Sequence, residues 1–74
     1  MKHYSETITL DPQKRFGQPC VRGLRITVYD VLSWLANGMS KEDITKDYPE
    51  ITFDDIQACL SFAAEREHKT RIAS

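Results

Sequence analysis

A chain of 74 residues makes one domain that hides only about 60% of the surface its unfolded form exposes, so its core is small and partners or self-association are expected. Hydrophobic residues at 41% and charged residues at 28% give a foldable rather than a disordered composition, and a net charge of -1 offers no overall attraction to nucleic acid. These figures exclude a membrane span, a large catalytic cleft and a two-domain cofactor enzyme, and leave a small binding module.

The first ten residues hold no apolar run of signal-peptide length, and the two cysteines, Cys20 and Cys59, form no disulfide framework. A reduced, cytoplasmic setting is therefore expected. Thr7-Ile8-Thr9-Leu10 alternates polar and apolar residues and ends at Asp11-Pro12, which predicts a short strand and a turn. The run Phe16 to Ile26 is punctuated by Gly17, Pro19 and Gly23, and Val21 to Ile26 reads as a second strand interrupted at Gly23. Residues 14–25 carry Lys14, Arg15, Arg22 and Arg25 and no acid. That basic loop either holds phosphates or a partner's carboxylates, or pairs its arginines with the chain's own acids.

Three segments then open alike. Thr27 precedes Asp30, Ser40 precedes Asp43 and Thr52 precedes Asp55, each a hydroxyl residue three positions before a carboxylate. The hydroxyl accepts from an unpaired amide of a first helical turn, and the carboxylate reaches back to the cap amide. The pattern predicts helices over residues 28–37, 41–47 and 53–67. Val28, Val31, Leu32 and Leu35 share a face of the first, which stops at Asn37-Gly38. Ile44 and Tyr48 point inward from the second, which ends before Pro49. Phe53, Ile56, Leu60, Ala63 and Ala64 form the predicted buried stripe of the third, and residues 68–74 read as a polar, fraying tail.

A short helix, a tight connection and a longer helix have the layout of a helix-turn-helix. In DNA binding the start of the second helix enters the major groove, and Gln57 is placed there to read a base. Asp54 and Asp55 at the same end face a wall of phosphates, which favours a protein-binding scaffold. Residues 42–55 set Glu42, Asp43, Asp47, Glu50, Asp54 and Asp55 against Lys46 alone. With Asp43 and Asp55 assigned to caps, Glu42, Asp47, Glu50 and Asp54 remain as an acidic surface for a basic partner. Trp34 lies at the edge of the first helix's apolar face, and Phe62 lies nearly opposite the third helix's stripe. They are candidate aromatics of a homodimer or partner interface, or else part of a second buried face. His3 and His68 have no metal-like partner at i+3 or i+4, so no catalytic, metal or cofactor residues are assigned.

The series Gly17-x-Pro19-x-x-x-Gly23-x-Arg25-Ile26, then Val28, Leu32, Leu35-Ala36 and Gly38, then Glu42-Asp43-Ile44, Tyr48-Pro49 and Asp55-Ile56 resembles a family of small bacterial proteins known as domain of unknown function 433. The resemblance covers about residues 7–64. It implies a fold that is mainly α, a trihelical helix-turn-helix or winged-helix-like core preceded by a short N-terminal β segment, in a single domain over residues 1–74. It further implies an antitoxin of VapB type, paired with a PIN-like ribonuclease toxin and able to bind operator DNA. The chain departs from the family at Leu24, where Thr is common before the Arg-Ile pair. Three functions follow as expectations: a toxin-masking antitoxin, a DNA-binding regulator, and a helix-turn-helix adaptor with neither role.

Overall fold

The computed structural model describes residues 6–13 and 17–73, the side chains beyond His68 excepted. Its elements run β1 (Ile8–Leu10), β2 (Pro19–Val21), α1 (Val28–Ala36), α2 (Lys41–Asp47) and α3 (Phe53–Ala73). The chain is thus mainly helical, with a small antiparallel sheet before three helices.

Strands β1 and β2 pair with Ile8 opposite Val21, Thr9 opposite Cys20 and Leu10 opposite Pro19. Pro19 sits at the first position of its strand, where the missing amide costs least. The second strand is Pro19–Val21 rather than residues 21–26, because the backbone turns directly after Val21. Arg22 has φ 45° and Gly23 φ 75°, the pair of positive values that a type I′ turn requires. The Leu24 amide closes that turn on the Val21 carbonyl at 2.7 Å, and the Val21 amide donates to the Ile26 carbonyl at 2.9 Å. Cys20 then bridges Thr27, so β2 lies between β1 and the returning chain. Cys20 and Val21 are accordingly buried, at 1% and 0% exposure.

All three capping boxes form. The Asp30, Asp43 and Asp55 amides donate to the hydroxyls of Thr27, Ser40 and Thr52 at 2.9, 3.0 and 3.1 Å. The Thr27, Ser40 and Thr52 amides return the bond to the three carboxylates at 3.0, 3.0 and 2.9 Å. Helix α1 ends in a Schellman motif: Met39 donates to the Trp34 carbonyl and Gly38 to Leu35, with Gly38 at φ 96°. Helix α2 ends at Tyr48, and the turn through Pro49 is closed by the Ile51 amide on the Tyr48 carbonyl at 2.9 Å. That turn delivers Ile51 into the core, a position outside the helical stripes. Helix α3 continues past residue 67 to Ala73, so its backbone is helical through most of the predicted tail. No glycine or proline interrupts residues 53–73, and extending a formed helix adds a hydrogen bond for each residue ordered.

The core joins Ile8, Val21, Val28, Val31, Ile44, Ile51, Ile56, Ala58 and Cys59. The buried stripe of α3 differs from the expected one. Asp55, Ile56, Ala58 and Cys59 face inward, whereas Phe53 and Leu60 are 50% and 36% exposed. Ala63 is half-buried and Ala64 exposed. The stripe is rotated because the inward side of α3 carries a neutralised carboxylate and two small side chains, described below. Ile44 is fully buried at the contact of the short α2 with the remainder. Ile44→Ala is expected to cost about 2–5 kcal/mol, comparable with the whole stability of so small a domain. Loss of a cooperative urea transition checks it.

Candidate functional site

The turn at Arg22 and the start of α3 meet through one ion pair. The Arg22 guanidinium donates from Nε to Asp55 Oδ1 and from Nη2 to Oδ2, both at 2.9 Å. Its Nη2 also donates to the Glu50 carbonyl at 2.5 Å. Asp55 is 2% exposed, so its charge is removed from water and met by a two-pronged donor. Burial alone raises the Asp55 pKa, but the Arg22 hydrogen bonds, the Thr52 amide and the Arg22 charge together hold it below the ordinary carboxylate value. The same contact raises the Arg22 pKa. At the exposed α2 cap, hydrogen bonds from Ser40 lower the Asp43 pKa.

This pairing engages one of the sequence-predicted cations. Arg22 acts as a structural clamp on Asp55, the second of the two roles open to the basic loop, with its side chain 43% exposed. Lys14 and Arg15 lie outside the described residues. Arg25 is exposed on the loop leading to α1, and Gln57 is exposed on α3.

The acidic candidates fall differently. Glu42 and Asp47 on α2, Glu50 in the turn and Asp54 at the start of α3 are all exposed. Asp43 and Asp55 are held in caps, as the spacing requires. Two aromatics singled out for an interface pack within the chain. Trp34 lies against the core and stacks on Tyr48, with ring centroids 4.0 Å apart and planes inclined by 9°. Phe62 also packs against the core, since rotation of α3 brings it toward the buried side, and Arg66 lies 5.5 Å over its ring. Among the described residues, the exposed large apolar side chains are instead Leu10, Tyr29, Phe53 and Leu60. Sequence periodicity placed Phe53 and Leu60 in the core, because Asp55 supplies no apolar signal for the face that is buried.

A groove of about 470 Å³ opens between the start of α1 and the second half of α3, with Thr27, Val28, Tyr29, Leu32, Phe62 and Arg66 along it. The Thr27 hydroxyl there is already engaged as the α1 cap. Cys20 and Cys59 are free and buried, and burial pushes the Cys59 thiol up to about 12, which keeps it protonated and unreactive. Among the described residues, no group of three His, Cys, Asp or Glu is placed to hold a metal ion, and no helix is long and apolar enough to cross a membrane.

Comparison with known proteins places this geometry. A family model described as Protein of unknown function (DUF433) matches residues 8–63. No curated protein matches the chain. Among solved structures, the crystal structure of a DUF433 member protein from Anabaena variabilis superposes with a TM-score of 0.78 at 23% identity, over 92% of this chain and 69% of that one. At that identity the likeness is one of fold.

The ion pair makes a pH prediction with a definite sign. Because the native Asp55 pKa lies below its ordinary value of 3.8, its contribution is complete above that value and is lost as pH falls through the native one. Asp55→Asn is expected to cost about 1–2 kcal/mol at neutral pH, a figure kept low because the Arg22 side chain is 43% exposed and can hydrate. The variant's stability should change less on acidification than the parent's, as urea melts across pH 3 to 7 measure.

Proposed function

We propose that this chain, which belongs to the family described as Protein of unknown function (DUF433), is a non-enzymatic antitoxin-type module that masks the basic groove of a PIN-like ribonuclease. The observation that carries the reading is the exposure of Glu42, Asp47, Glu50 and Asp54 together, beside two acids of the same segment that are held in caps. A nuclease groove holds RNA through Lys and Arg, and an acidic surface competes for those groups. The resemblance of about residues 7–64 to the DUF433 family, which implies an antitoxin of VapB type, supports the same partner class. The chain needs no catalytic group for this role, since exclusion of RNA is the activity.

Operator binding draws on less. The Arg22 guanidinium is turned to Asp55, and Gln57 shares the start of α3 with an exposed Asp54. A groove reader at that position brings a carboxylate toward phosphates, which costs affinity at every sequence.

Long-range attraction between opposite charges raises the association rate and is screened by salt. Changing Glu42 and Asp47 to Lys is expected to slow complex formation with a PIN-like nuclease partner by about ten-fold, with little change in melting temperature. The parent's association rate should fall as salt rises, and RNA cleavage should stop in the complex. Stopped-flow binding and a cleavage assay on the same mixture read both. Absence of a complex, or equal rates for parent and variant, removes the reading and leaves the acids as solvated surface.

A further inference from the structure

The rotation of α3 leaves an apolar row on the outside of the molecule. At 100° per residue, Phe53, Gln57, Leu60 and Ala64 fall within about 60° of one another, opposite the buried Asp55 and Cys59. All four are exposed, Phe53 at 50% and Leu60 at 36%. With a rise of about 1.5 Å per residue the row is about 16 Å long. Its N-terminal end is acidic, with Asp54 next to Phe53 and Glu50 three positions before it, both exposed.

That charge selects the occupant. Phosphates of nucleic acid and anionic lipid are repelled from the Phe53 end. A second copy joined through this row by a two-fold axis presents the same patch to itself, and the row of Phe53, Gln57, Leu60 and Ala64 carries no Lys or Arg to meet the acids. A partner with an apolar socket rimmed by Lys or Arg meets the row and its acids together. We propose that the Phe53–Leu60 row is the apolar anchor of a heterologous docking surface for such a basic protein, with Phe53 filling the socket, Gln57 supplying a hydrogen bond within the contact, and the acids guiding approach. The proposal rests on the reading of the chain as an inhibitor of a basic-grooved ribonuclease, and adds where the contact is held once formed. Buried aromatic anchors govern dissociation, whereas rim charges govern encounter, so the two parts of the surface separate kinetically.

The test follows both rate constants for the full chain with a purified PIN-like ribonuclease. Phe53→Ser and Leu60→Ser are each expected to speed dissociation about ten-fold or more while leaving the association rate near the parent's. Tyr29→Ser, which removes a more exposed aromatic from α1, should change neither. Thermal melts show that each variant is folded, and Phe53→Leu, which keeps an apolar side chain, should recover much of the parent's residence time. If the parent binds and both serine variants dissociate at its rate, the anchor lies elsewhere and this proposal is overturned while the ribonuclease reading stands. If the parent does not bind, both fall. If sedimentation shows a dimer of the parent that Phe53→Ser dissociates, the occupant is a second copy and the heterologous surface is refuted.

Discussion

Removing a carboxylate from water costs several kcal/mol unless a charge and hydrogen bonds meet it where it is buried, and Asp55 meets that demand from two directions. Its oxygens accept from the Arg22 guanidinium and from the Thr52 amide, so the same side chain neutralises a tight turn and caps the longest helix. The cation comes from a residue at φ 45°, a conformation that a non-glycine side chain takes at some cost. The pair thereby links the sheet to the helices across 33 positions of sequence. Once Asp55 is fixed inward, helical geometry decides the remainder of α3: Ile56 and Cys59 follow it into the core, and Phe53 and Leu60 are carried out.

A small domain has little apolar area with which to offset chain entropy, and this one supplements it with local order. Each helix begins with a reciprocal cap, and α1 also ends in one, so few of the backbone groups at these ends face the interior unpaired. The stack of Trp34 on Tyr48 sets the end of α1 against the end of α2 over the short connection between them. Such caps act within a few residues and leave the outer faces of the helices free to vary. That freedom is where the chain places its acids and its exposed aromatic side chains.

The charge distribution has a functional consequence that the net value conceals. A total of -1 is compatible with nearly any partner, but the acidic residues that remain exposed are concentrated between Glu42 and Asp54. Arg22, which from sequence belongs to a basic counterweight, instead faces the buried Asp55 that follows them. Internal pairing therefore withdraws one cation and one carboxylate from the two clusters and leaves the acidic segment presenting Glu42, Asp47, Glu50 and Asp54 to solvent.

The sequence by itself determined what local chemistry controls. The hydroxyl and carboxylate spacings located three helix starts, Asn37-Gly38 and Pro49 located two ends, and the alternation at residues 7–10 located the first strand. These signals act over three or four residues, so they survive whatever the chain packs against. Tertiary structure decided the rest, because it concerns which of several local possibilities is met by a distant group. Gly23 marked a break in both readings, but only the pairing of β2 with the returning chain made it a turn after Val21. The apolar periodicity of α3 allowed more than one inward face, and a polar residue was the one to choose between them. Asp55 is legible as a cap from its neighbours, but its burial depends on Arg22, which lies far away in sequence and close only in the fold.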